Sequence, residues 1–150
     1  MKKTTLFILA FLGLTALVSC EVEMSPNGKL DGFWHVENID TVAEDGKTIN
    51  VGDKREAKLY WAFQFNMLQI DDRTYATPRY ILRFEHNKDT LRVYDPYLFD
   101  RENGDKKLED PTPLIMYGID ALDAKFIIKS LSNKRVTLKK GNLEIKMRKF

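Results

Sequence analysis

Ala57-Lys58-Leu59-Tyr60-Trp61-Ala62-Phe63-Gln64-Phe65 alternates in character: Leu59, Trp61, Phe63 and Phe65 fall on one face, and Lys58, Gln64 and the following Asn66 on the other. A period of two belongs to a strand with one buried side, because successive side chains leave a strand in opposite directions. The same period recurs on either side. Residues 79–86 set Tyr80, Leu82 and Phe84 against Arg79, Arg83 and Glu85, and after Asn87-Lys88-Asp89 residues 90–94 set Leu91 and Val93 against Arg92. Two alternating runs joined by a tight polar turn read as a hairpin. In the C-terminal third, residues 125–131, 134–139 and 142–149 are separated by Ser132-Asn133 and Gly141-Asn142, the signature of a meander. A first strand from Gly32 to about Asp40 makes seven, and an eighth is expected from residues 71–77 or 97–99.

The fold class that follows is all-β: an up-and-down antiparallel β-barrel of about eight strands, since closure removes the exposed edges that so many short strands would leave. Two segments interrupt the pattern. Residues 41–56 are polar, and residues 96–123 carry Pro96, Pro111 and Pro113. Within the second, Leu114, Ile115, Gly118, Ile119 and Leu122 recur at roughly helical spacing, which predicts one short helix closing a barrel end.

Composition narrows the chemistry. The chain has 150 residues, 24 Lys and Arg against 22 Asp and Glu, one cysteine and two histidines. One domain of this size needs neither disulfides nor structural zinc, and one cysteine with His35 and His86 cannot make a Cys/His metal centre. There is no Gly-x-Ser-x-Gly elbow, His-Glu-x-x-His pair or Walker-type loop. Residues 100–105 resemble the start of a calcium loop but would put Pro111 where a bidentate glutamate is required. His35, next to Trp34 in sequence, is expected to be exposed, and neither histidine belongs to a visible triad. Arg79, Arg83 and Arg92 alternate with apolar residues as on a solvated outer face, with no stripe for nucleic acid. The reading is therefore of a non-enzyme, with no catalytic residues, metal or cofactor.

The N-terminus is an address. Met1-Lys2-Lys3 precedes an apolar run of 13 residues, Leu6 to Val18, too short for the ~20 residues that span a bilayer. Leu17-Val18-Ser19-Cys20 resembles the bacterial lipobox, which implies a signal peptide over 1–19, diacylglyceryl attachment at Cys20 and a tether over 20–29 ahead of a barrel domain over 30–150. Glu21 and Glu23 resemble a thin version of an acidic surface-export signal, or they solvate the tether. Lys2 and Lys3 account for the basic excess, so the mature chain holds 22 bases and 22 acids. Two or three acyl chains anchor a protein stably, at ~0.8 kcal/mol per buried CH₂. The expected location is the cell envelope, lipid-anchored, at the outer membrane.

Lys29-Leu30-Asp31-Gly32-Phe33-Trp34 places Gly-x-Trp at the start of the first strand. This resembles the signature of lipocalins and their lipocalin-like relatives among Gram-negative lipoproteins. The resemblance implies that Gly32 and Trp34 plug the closed barrel end, with a basic residue of the last strand across the indole; Arg148 is the matching candidate, with Lys146 and Lys149 beside it. Trp61, Phe63, Phe65, Tyr80, Leu82, Phe84 and Phe126 are the inward candidates, and an eight-stranded barrel either holds one small ligand or is filled by such side chains. Two functions follow. The first is a membrane-anchored lipocalin-like lipoprotein binding a small apolar or amphipathic ligand in the barrel. The second is a filled-barrel structural or interaction module presenting loops 41–56 and 96–123 to a protein or glycan partner.

Overall fold

The computed structural model describes residues 25–150. The expected signal peptide over 1–19, the lipidation candidate Cys20 and the first part of the expected tether lie outside these residues. From Ser25 the chain makes a 3₁₀ turn, Gly28–Leu30, and then ten strands: β1 (Gly32–Val42), β2 (Thr48–Asn50), β3 (Leu59–Gln64), β4 (Met67–Asp72), β5 (Tyr80–Asn87), β6 (Thr90–Leu98), β7 (Lys106–Lys107), β8 (Asp123–Leu131), β9 (Arg135–Lys140) and β10 (Leu143–Lys149). Eight of them pair in the order β1-β3-β4-β5-β6-β8-β9-β10, and β10 returns to β1, with Trp34 opposite Lys149 and Thr41 opposite Leu143. The barrel is thus closed and antiparallel throughout, while β2 and β7 are short outriggers on β1 and β6.

Each strand contributes alternate side chains to one core. Trp34, Trp61, Phe126, Leu68, Ile70, Leu91 and Leu138 are wholly buried there, and Phe63 and Phe84 nearly so. At ~25 cal/mol per Å² of apolar surface, this layer is the main source of stability. A bulge in β1 sets its parity. Val36 pairs with Met147 but Asn38 with Lys146, leaving Glu37 as the extra residue. Inward positions therefore pass from Trp34 and Val36 to Ile39, and Asp40 turns outward.

The barrel has two unlike ends. At one lie the chain entry at Ser25, the Phe65-Asn66 turn, the Lys88-Asp89 turn and the end of β10. At the other lie the three longer connections, 43–58, 73–79 and 99–122, and the tight turn at Gly141-Asn142. The expected short helix is a 3₁₀ turn, Thr112–Tyr117, ended by Gly118 in the left-handed region at φ 86°. A Cβ on Gly118 would sit 2.5 Å from Ile145 Cδ1, so glycine lets this segment press onto the barrel. Leu114, Tyr117 and Ile119 from it are fully buried in the main core. They stopper the loop end.

The structure corrects three expectations. The eighth strand is β4, hidden in sequence because Phe65 carries the odd-numbered apolar series of β3 straight into the turn. Phe65 itself is not inward: it stands at the hairpin tip with φ 56° and is 73% exposed. His35 is buried, because residues 52–57 run beside β1, with Ile39 N–H to Gly52 O and Lys54 N–H to Glu37 O both 2.8 Å, and bring Ala57 O within 2.8 Å of His35 Nε2.

Burial raises the phenol pKa of Tyr80 and of Tyr117 above the ordinary value of 10.0. A raised folded-state value means that stability is fully present below pH 10 and declines as pH rises through the raised values. The decline is at most about 1.4 kcal/mol per pH unit per phenol. Urea unfolding at pH 9 and pH 11 should show this loss; equal stability at both would mean that the two rings ionise freely.

Candidate functional site

The inward face is the first place to look, because the lining residues expected from sequence meet there. Trp61 lies between Phe63 and Phe126, at centroid separations of 5.9 and 6.1 Å, and Phe63 meets Phe84 edge-on at 5.0 Å. Tyr80 and Leu82 are buried in the same cluster. Rings at such separations are packed against one another. Trp61 buries its indole N–H without an acceptor, whereas Trp34 donates to Leu30 O at 2.7 Å.

The closed end shows why Gly-x-Trp has its form. Trp34 points inward beneath Leu30, and the cation over its ring is Lys149, with Nζ 5.1 Å from the centroid and donating to Lys29 O at 2.9 Å. Gly32 has φ 120°, and a Cβ there would lie 2.7 Å from Lys149 Cε. Glycine thus leaves the channel through which the lysine reaches the indole. Arg148, the residue expected in this role, belongs to the outer wall, where its Nε donates to Glu37 Oε1 at 2.9 Å while Arg135 takes Oε2 at 2.9 Å. Parity was the available signal: Ile145, Met147 and Lys149 share a face, opposite Glu144, Lys146 and Arg148.

Buried carboxylates cluster toward the loop end, and each is satisfied. Asp40 accepts from Lys146 Nζ at 2.9 Å and from Gly52 N–H at 3.1 Å. The Asp40 hydrogen bond in turn holds the Lys146 ammonium above its ordinary value. Asp71 faces Arg79 at 3.5 Å and Arg73 at 3.6 Å, and Asp72 accepts from Thr74 N–H and Oγ1 at 2.8 and 2.7 Å. Such pairing keeps all three as structural anchors of loops. Among the described residues no group of three or more His, Cys, Asp or Glu is placed to hold a metal.

The concave surfaces lie outside the barrel. A cavity of about 260 Å³ is bounded by Met67, Ile81, Arg83, Asp95, Tyr97 and Arg101, where the 99–105 loop leans over β5 and β6. Asp95 is tied to Lys107 at 2.5 Å, and Arg101 lies 4.9 Å above Phe99. A second, of about 470 Å³, opens at the closed end among Ser25, Asp31, Phe33, Gln64 and Phe65. Neither brings a nucleophile and a base together. Sequence reasoning missed both, since each joins segments distant in the chain.

A family model described as a lipocalin-like domain matches residues 15–150. Among solved structures, a lipocalin-like protein from Bacteroides uniformis superposes with a TM-score of 0.57 at 15% identity, covering 82% of this chain and 100% of the other. An uncharacterized protein from Bacteroides eggerthii gives 0.53 at 13%, covering 80% and 98%. Both likenesses are of fold. No curated protein matches the sequence.

A double-mutant cycle separates the two cations. Trp34→Leu combined with Lys149→Met should show a coupling of about 0.5–2 kcal/mol in unfolding free energy, and Trp34→Leu with Arg148→Met almost none. The reverse ranking would return the role to Arg148.

Proposed function

The chain belongs to the lipocalin-like domain family, and from that premise we propose that it is a lipid-anchored, filled-barrel interaction module of the bacterial cell envelope, held at the outer membrane through Cys20. The observation that carries this reading is the interior itself. Trp61, Phe63, Phe84 and Phe126 occupy the middle of the barrel, Trp34 closes one end, and Leu114, Tyr117 and Ile119 close the other. A pocket for a drug-sized guest needs roughly 300–1,000 Å³ of concave space, and the hollows described above are lined by residues of the outer wall and the barrel ends. In this reading Trp61, Phe63, Tyr80, Leu82, Phe84 and Phe126 are the filling of the barrel, where the interior-ligand reading makes them a lining.

What remains for binding is the outside. The tether enters at the closed end, so loops 41–56 and 96–123 project from the opposite end, away from the membrane. That loop end exposes Ile49, Val51, Ile115 and Met116. Exposed aliphatic side chains suit a protein partner better than a glycan, which would be met by polar groups and aromatic platforms.

Native mass spectrometry of the acylated protein extracted from membranes tests the reading. The expected species is the chain cut before Cys20 plus its acyl groups, with no further small molecule. A stoichiometric guest lost only on unfolding would reinstate the ligand reading. Cys20→Ala should abolish membrane partitioning, and a variant that still sediments with membranes would remove the anchor. Ile49→Ser and Ile115→Ser should each stay within about 0.5 kcal/mol of the parent in stability; a loss above about 2 kcal/mol would assign these side chains to the fold.

A further inference from the structure

Large apolar side chains are left exposed at the closed end as well. Phe65 is 73% exposed at the β3–β4 tip, Phe150 is 78% exposed, and Met67 follows Phe65 by two residues. Phe65 and Phe150 stand near the point where the chain enters, whereas the Met67 side chain lies along the outer wall beside Ile81 and Arg101. Asn27 Nδ2 donates to Phe65 O at 2.7 Å, and Ser25, Phe33 and Phe65 line the same hollow of about 470 Å³. Phe33 in turn meets the Phe150 ring edge-on at 6.3 Å, and Phe150 N–H donates to Phe33 O at 2.8 Å. The turn at Phe65 is also an unusual place for a phenylalanine. A positive φ suits Gly or Asn, and a bulky residue there is a strained choice. Neither burial nor backbone preference accounts for an aromatic ring at this tip.

The chain outside the structure says what lies opposite. Five residues, 20–24, separate Ser25 from the preceding segment and include the lipidation candidate Cys20. Fully extended they reach about 17 Å. A protein anchored by acyl chains at Cys20 therefore has its closed end within one short tether of the headgroups, whatever its orientation. We propose that this end docks on the lipid bilayer, with Phe65, and near it Phe150, seated at the interface between headgroups and acyl chains. The inference rests on the acylation of Cys20 in the reading above and adds an orientation to it: the barrel stands closed end down and loop end up.

Aromatic and aliphatic side chains on one face of a peripheral protein are the usual means of interfacial seating. Charge contributes little here. Lys29, Lys88, Lys134, Arg135, Arg148 and Lys149 stand at this end, nearly balanced by Asp31, Glu37 and Asp89 beside them and Glu21 and Glu23 in the tether. The docking is therefore expected to survive high salt, unlike the attachment of a polybasic patch.

The test uses the full acylated chain in vesicles of phosphatidylethanolamine and phosphatidylglycerol whose acyl chains are brominated. Trp34 and Trp61 are both fully buried, so their emission is a constant background. A tryptophan reporter is introduced as Phe65→Trp at the closed end, or as Tyr75→Trp at the loop end, where Tyr75 is 75% exposed. The docked orientation requires blue-shifted emission and bromolipid quenching for Phe65→Trp, several-fold stronger than for Tyr75→Trp and unchanged in high salt. Equal quenching of the two, with the protein still floating with the vesicles, overturns the docking and leaves the anchor standing. Failure to float overturns the anchor and the docking with it. A blue shift of Phe65→Trp without lipid, growing with protein concentration, would assign the patch to a second copy of the chain and overturn the bilayer as its occupant.

Discussion

The packing of inward aromatic rings along the barrel axis is the contact on which the rest depends. Trp61 meets Phe63 and Phe126, and Phe63 meets Phe84, so side chains from β3, β5 and β8 touch across the interior. An eight-stranded barrel is just wide enough for this. Because the strands are short, one such layer with Trp34 below and Leu114, Tyr117 and Ile119 above occupies the full height. Closure of β10 on β1 follows from the same packing, since Ile145 and Met147 must face the core opposite Ile39 and Val36. In the reading proposed above this core serves stability, and recognition falls to the outer surface.

The two ends then divide the work. The closed end is sealed by a small set of contacts: the Trp34 indole on Leu30 O, Lys149 over the ring, and Gly32 making room for the lysine. It also receives the chain entry at Ser25. The loop end is sealed by a 3₁₀ turn instead of a second tryptophan, and the buried carboxylates Asp40, Asp71 and Asp72 hold its loops in place through nearby cations and N–H groups. Polarity along the barrel axis thus comes from the order of elements in the chain, with the chain entry at one end and the long loops at the other, and needs no special device.

Much of this was legible in the sequence. The period of two, the polar turns and the even spacing of the C-terminal strands gave an all-β barrel of about eight strands, and Gly32 with Trp34 pointed to the family. The misreadings have physical causes. Phe65 continues an inward series for one residue too many, and only the backbone reveals that it has entered a left-handed turn. Residues 97–99, considered as a separate eighth strand, do not form one, and Tyr97 and Leu98 extend β6 instead: Ile81 pairs with Tyr97 but Arg83 with Tyr94, so the strand absorbs Asp95 and Pro96 as a bulge. Arg148 was favoured for a role that the alternation in β10 gives to Lys149. His35 is buried by a segment distant in sequence, and no local pattern records that. The aliphatic residues 114–122 did announce a plug, but whether the barrel beneath held space was a question of volume, which no linear pattern answers.

The claim at the centre is that the interior is a packed core. Apolar cavities well below the size of a ligand take up xenon when they exist, so crystals of the protein under xenon pressure examine it directly. The expected result is no xenon inside the ring formed by Trp61, Phe63, Phe84 and Phe126. An ordered xenon atom among those four rings would contradict the account and return the barrel to the interior-ligand reading.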